Sequence, residues 1–238
     1  MIDYARPVRV ALFVTCLADT LYPSVGRATV TLLERLGVEV AFPRAQTCCG
    51  QLHLNAGYPD VAVALAARFV EVFAGFDAVV APSGSCVAHV RSHVREHAAD
   101  PDDVAGRTFE LSQFLVDRLG VTDVGSGYAG SLTYHPTCHS LRGLLVGDRP
   151  ESLLRAVPGV ELRPLPDATE CCGFGGTFAV RNADVSSAML ADKLRCVADT
   201  GAAAVCACDA SCLLHIRGGL ERHRSPVRAV HLAEVLAT

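Results

Sequence analysis

The chain has 238 residues, half of them hydrophobic and 19% charged, with a formal net charge of −4. That is ample apolar material for one or two packed domains, and no lysine- or arginine-rich run is present of the kind that binds nucleic acid or an anionic membrane. No apolar stretch approaches the length of a bilayer span, so no transmembrane segment is expected.

In chain order, "VRVALFV" (8–14) is a continuous apolar, β-branched run and reads as a buried parallel strand. Residues 24–36 have helical spacing and stop at Gly37. "VEVAF" (38–42) is the next strand. "PDVAVALAARFVEVFAG" (59–75) is a helix with proline near its start and glycine at its end. "FDAVVAP" (76–82) is a third strand, and a helix covers 86–98. The second half repeats the alternation with "GSLTYHP", "VELRPL", a helix across 184–200, "AAAVCA" and "CLLHIRGGLE". Alternating strands and helices predict an α/β fold, with mostly parallel sheets flanked by helices.

The chain is also written twice. Cys16 ends "VALFVTC", and Cys138 ends "LTYHPTC". The triplet Cys48-Cys49-Gly50 returns as Cys171-Cys172-Gly173. "PSGSCVAHVR" (82–91) returns as "CDASCLLHIR" (208–217), and "FELSQFL" (109–115) is echoed by "AVHLAEVL" (229–236). Four landmarks in constant order imply two tandem pseudo-symmetric repeats, 1–125 and 126–238, joined near the glycine-rich 125–130. Basic residues before the short apolar run at the N-terminus faintly suggest a secretory leader. Cys16 has a counterpart in mid-chain, however, so the run reads as a strand. The expected compartment is the cytoplasm, where thiols stay reduced.

Eleven cysteines in a reduced compartment favour metal or redox chemistry over a disulfide framework. Parallel sheets collect ligands at the carboxyl ends of their strands. Cys16, Cys48, Cys49 and Cys86 each follow a predicted strand, as do Cys138, Cys171, Cys172 and Cys212. Each set of four is therefore expected to converge at one sheet edge. Four thiolates suit an iron–sulfur cluster or zinc. The adjacent pair favours the cluster, whose several irons accept divergent sulfurs. Gly50 and Gly173 then allow the backbone to bend or approach closely. Purely structural or redox thiols are the third reading. Cys206 and Cys196 read as packing residues, and Cys208 is a spare thiol near the second set. His89 and His215 read first as packed helix residues; His53, His135 and His139 are neighbours of the cysteines without an assigned role. "CCGFGGTF" (171–178) lacks the spacing of a phosphate loop, and no catalytic residues can be named.

On these residues the chain resembles the CCG-domain, or cysteine-rich domain, iron–sulfur proteins. The pattern is cysteine, long gap, CCG, long gap, C-x-x-C, twice over. Its nearest likeness is to the lactate-utilisation protein A group. More distantly it is similar to the CCG-domain component of heterodisulfide reductase and to the iron–sulfur component of glycolate oxidase. The resemblance implies an electron-transfer subunit with a [4Fe–4S] cluster in each repeat. It would serve an oxidoreductase that converts L-lactate to pyruvate, alongside sister subunits that include another iron–sulfur protein. One departure stands out: Ser83 and Asp209 occupy the first position of each C-x-x-C. The alternatives are a heterodisulfide-reductase-like enzyme acting on a thiol or disulfide, and an interaction protein with structural zinc.

Overall fold

The computed structural model describes residues 9–238. The chain forms two compact units that part between Val121 and Thr122. Each is an α/β unit with a four-stranded, wholly parallel sheet and helices on its faces.

In the first unit β1 (Arg9–Leu12) runs into α1 (Cys16–Leu21) and α2 (Pro23–Arg35), then β2 (Glu39–Ala41). After α3 (Gln51–Asn55) and α4 (Pro59–Phe73) comes β3 (Ala78–Ala81). α5 (Gly84–His89) continues through a π-helical turn, Val90–Val94, into α6 (Arg95–His97). β4 (Thr108–Glu110) leads directly into α7 (Leu111–Gln113) and a second π-helical turn, Phe114–Arg118. The sheet order is β2-β1-β3-β4. Val10 pairs with Val40 on one side and Ala78 on the other, so β1 is central and buried on both faces. That explains its unbroken apolar run. Val8, the first residue of the predicted strand, lies outside the described residues.

The second unit repeats the plan. β5 (Gly130–Tyr134) is followed by a π-helical turn, His139–Gly143, α8 (Arg149–Ala156) and β6 (Val160–Arg163). Then come α9 (Phe178–Arg181), α10 (Ala183–Asp199), β7 (Ala204–Ala207), α11 (Ala210–Arg222), β8 (Arg228–His231) and α12 (Leu232–Ala237). The order β6-β5-β7-β8 is the same as in the first sheet, and all its pairings are parallel.

Proline at the first or second position of α2, α4 and α8 starts those helices where a missing N–H costs nothing. β3 and β7 are fully buried along their length. In the first unit Phe13, Phe69 and Phe73 form the aromatic core between β1 and α4, with centroids 4.5–5.5 Å apart. Each ring contributes about 1.5–3 kcal/mol of burial. In the second unit Val205, Val197, Ile216 and Leu220 form a core cluster, with Cys196 packed against it.

The fourth strands were not foreseen as strands. They lie in "FELSQFL" and "AVHLAEVL", which the repeat had already paired. Both are edge strands of three or four residues that turn at once into a helix. Glu110 and His231 cap those helices: the Glu110 carboxylate accepts from Ser112 N–H at 2.9 Å, and His231 Nδ1 accepts from Ala233 N–H at 3.1 Å. Among the described residues no helix is long and apolar enough to cross a membrane.

Candidate metal centres

All eight cysteines singled out by the repeat lie just beyond the carboxyl ends of strands, from three connections per sheet. In the first unit Cys16 opens α1, Cys48 and Cys49 lie between β2 and α3, and Cys86 sits in the first turn of α5. Cys16 Sγ lies 3.7 Å from Cys48 Sγ, and Cys49 Sγ lies 3.4 Å from Cys86 Sγ. Cys48 also hydrogen-bonds Cys49, which closes a chain of four thiols. The second unit copies it: Cys138 bonds Cys171, Cys171 bonds Cys172, and Cys172 bonds Cys212.

Within each set the first three cysteines titrate together through their thiol contacts. In each set the first cysteine of the CCG triplet holds the favoured thiolate. Cys48 is pulled well below the ordinary thiol range by the Cys16 thiol, then by Cys49 and by the Gly50 N–H. Cys171 is pulled down by Cys138, then Cys172 and the Gly173 N–H, with His135 helping. Their partners move the opposite way. Cys16 and Cys138 are pushed up by their hydrogen bonds to the favoured thiolate and by burial. Cys49 and Cys172 are pushed up by both thiol neighbours and by burial.

The glycine of each triplet has a definite task. Gly50 has φ +96° and Gly173 φ +89°, both left-handed. The turn brings the glycine N–H onto the sulfur two residues back, at 3.5 Å in the first unit and 3.3 Å in the second. The close approach is to α4 and α10: a Cβ would meet Ala62 backbone at 3.4 Å in the first unit and Ser186 O at 2.6 Å in the second.

Ser83 and Asp209 stand immediately before the helices that carry Cys86 and Cys212. Ser83 caps α5 by accepting the Cys86 N–H at 3.3 Å, so that N–H is directed to the cap. Asp209 precedes α11 without a side-chain cap. Its carboxylate accepts from Thr137 Oγ1 at 2.8 Å, and Thr137 Oγ1 lies 2.9 Å from Ser140 Oγ. Cys208, the spare thiol, joins the same group, 3.1 Å from Ser140 Oγ. Cys206 is fully buried in β7, and burial pushes its thiol up.

One residue of the site went unassigned in the sequence. His135 follows β5, is wholly buried, and has a ring nitrogen within 4.8 Å of the Cys172 and Cys212 sulfurs. Desolvation pushes its pKa down to about 4; Lys193 adds to that and Cys171 opposes it. The signal for it was available: aligned on the repeat, His135 stands where the first half has the core residue Phe13. His215 Nε2 lies 3.2 Å from Ser186 Oγ, and His53 acts on Cys48.

The donor sets fit a thiophilic metal group. Sulfurs from separate connections are already gathered, one thiolate per set is favoured, and glycine N–H groups face sulfur. Cys16, Cys48, Cys49 and Cys86 would hold one such group, and Cys138, Cys171, Cys172 and Cys212 another.

Two pseudo-symmetric parallel units, each carrying cysteines at its strand ends, define a duplicated cysteine-rich module. The cysteine-rich domain (CCG) family model matches residues 10–91 and again 132–217. The chain belongs to this family. It is 43% identical over 237 residues to lactate utilization protein A of Oceanobacillus iheyensis, covering 97% of each chain. It is 47% identical to the protein of that name from an Exiguobacterium species, over 95% of this chain and 96% of that one. The Geobacillus kaustophilus protein of that name is 46% identical, over 96% and 98%. A solved glutamate racemase from Bacillus anthracis covers 98% of this chain and 79% of its own, at 10% identity and a TM-score of 0.37, and carries no argument.

Proposed function

We propose that the protein is an iron–sulfur electron-transfer subunit that takes part in lactate utilisation, with one cysteine-ligated centre in each repeat. The observation that carries this reading is the gathering of four sulfurs at each sheet edge. Cys16, Cys48, Cys49 and Cys86 are assigned as ligands of one centre. Cys138, Cys171, Cys172 and Cys212 are assigned to the other. The relatives' name supports the substrate class. The first step in using lactate removes two electrons from a secondary alcohol, and those electrons need a redox-active acceptor. When bound, an iron–sulfur cluster supplies that capacity, and [4Fe–4S] is the favoured type.

The protein's own residues prepare the site. The glycine turns and the strand ends place the sulfurs. The N–H groups of Gly50 and Gly173 stabilise negative charge on Cys48 and Cys171. The half-buried cysteines, Cys16 and Cys48 in the first unit and Cys138, Cys171 and Cys212 in the second, leave one side of each quartet open toward a partner. Sister subunits of a lactate-oxidising complex, another iron–sulfur protein among them, are the proposed partners. Eleven free cysteines support a reducing compartment, so the cytoplasm is the proposed location.

One observation favours a second reading, structural zinc. Zinc–sulfur bonds of about 2.3 Å give a tetrahedral edge of about 3.8 Å, close to the sulfur separations of 3.7 Å and 3.4 Å. Zinc is redox-inert, so it would leave the protein an assembly factor instead of an electron carrier. Anaerobic purification with iron, sulfide and zinc analysis and EPR decides. Iron and acid-labile sulfide in matching amounts are expected; stoichiometric zinc without iron overturns the electron-transfer reading.

A further inference from the structure

The two sulfur quartets rest on different backing. Phe13 follows β1, and its N–H donates to Val80 O at 2.9 Å; His135 follows β5, and its N–H donates to Cys206 O at 2.8 Å. Val80 and Cys206 hold the same register place, opposite Leu12 and Tyr134. Phe13 and His135 are therefore structural equivalents. A second pair of equivalents lies on α4 and α10. Ala62 faces Gly50 and Ser186 faces Gly173. Counting the same interval along α4 and α10 reaches Phe69 and Lys193. Where the first unit sets Phe13 edge-on to Phe69 at 5.1 Å, the second places an imidazole and an amine.

This substitution is costly unless it serves something. His135 is 0% and Lys193 1% exposed. A buried polar group without a partner loses its hydration with no return. Lys193 Nζ donates to Asp167 O at 2.9 Å, on the loop that leads to Cys171. Among the described residues neither ring nitrogen of His135 has a hydrogen-bond partner. One of its ring nitrogens lies within 4.8 Å of the Cys172 and Cys212 sulfurs. Packing alone does not require it, since phenylalanine fills the equivalent space in the first unit.

The geometry points to His135 as a nitrogen donor to the C-terminal centre: its ring N–H hydrogen-bonds the sulfur of that centre, and with Lys193 beside it sets the centre's reduction potential above that of the N-terminal one. This rests on the iron–sulfur reading above. Imidazole carries at least one N–H in either protonation state. A donor and a positive charge stabilise the extra negative charge of a reduced cluster, and hydrogen bonds to sulfur are among the levers that set its potential. The aromatic pair in the first unit offers neither. The C-terminal centre is therefore the one that fills with electrons first, and His135 is a positioning and tuning residue.

The test uses the full chain, purified anaerobically, in a Cys48→Ser/Cys49→Ser background that leaves the C-terminal centre to be read alone. His135→Phe lowers its midpoint in an EPR-monitored redox titration, by a shift equivalent to about tenfold in the reduction equilibrium, or about 59 mV for one electron. In protein labelled with ¹⁵N-imidazole histidine, pulsed EPR of that centre shows a weak ¹⁵N coupling, and His135→Phe removes it. The reciprocal variant Phe13→His, in a Cys171→Ser/Cys172→Ser background, raises the midpoint of the N-terminal centre. If His135→Phe fails to fold, the label and the reciprocal variant still decide. An unmoved midpoint with iron content intact, or no histidine coupling, overturns this inference and leaves the iron–sulfur reading standing. Absence of iron from the wild-type protein overturns both.

Discussion

The two repeats agree in the strand ends and glycine turns that place sulfur and differ in the residues one layer deeper. Both use the same strand order, the same three connections and a left-handed glycine after paired cysteines. The N-terminal repeat has the aromatic cluster of Phe13, Phe69 and Phe73 beyond its first strand. The C-terminal repeat has His135 and Lys193 at the places of Phe13 and Phe69, and a hydroxyl–carboxylate group of Thr137, Ser140 and Asp209. The difference teaches that backbone geometry at the strand ends is enough to gather four thiols. The side chains one layer deeper are then free to tune what the thiols hold.

The largest effect expected is the loss of one centre at a time. Cys171→Ser/Cys172→Ser and Cys48→Ser/Cys49→Ser should each cut iron and sulfide per chain by about half, with different EPR signals surviving in the two variants. Identical residual spectra, or total loss in both, would break the comparison between repeats.

Next is the backing itself. Phe69→Ala removes a ring that packs on both Phe13 and Phe73 and should cost about 3–5 kcal/mol in chemical denaturation. Its counterpart Lys193→Met keeps volume and gives up one hydrogen bond to Asp167 O, so about 1 kcal/mol is expected. Equal losses at the two positions would contradict the contrast between an apolar and a polar layer.

The glycine turns sharpen the comparison further. Alanine at either position suffers the left-handed penalty, about 1–2 kcal/mol. Gly173→Ala also drives a Cβ to 2.6 Å from Ser186 O, whereas in Gly50→Ala the nearest atom stands at 3.4 Å. Thermal melts should therefore rank Gly173→Ala as the less stable variant. The smallest effect belongs to the C-terminal cap. His231→Ala removes the acceptor for the Ala233 N–H and should cost about 1 kcal/mol, with the metal content of both centres unchanged.

Much of this was legible in the sequence, for identifiable reasons. Central parallel strands are buried on both faces, so "VRVALFV" and "AAAVCA" announce themselves as unbroken apolar runs. Cysteines that follow such runs must lie at the carboxyl edge, and the duplication made each placement count twice. The edge strands Thr108–Glu110 and Arg228–His231 were less visible. They are short, and their residues are shared with the caps of the helices that follow. Ser83 and Asp209 could be seen to depart from a cysteine pattern. Only the folded chain shows one of them capping a helix and the other accepting from Thr137. His135 and Lys193 lie far apart in sequence and come near each other only in the folded unit. Each alone reads as an ordinary residue, and the clue lay in the aromatic residues opposite them in the repeat.

Anomalous diffraction from crystals grown anaerobically is the most direct measurement of the central claim. The account predicts iron-edge peaks at two places, one amid Cys16, Cys48, Cys49 and Cys86 and one amid Cys138, Cys171, Cys172 and Cys212. Zinc-edge peaks there instead, or iron bound away from either quartet, would contradict it.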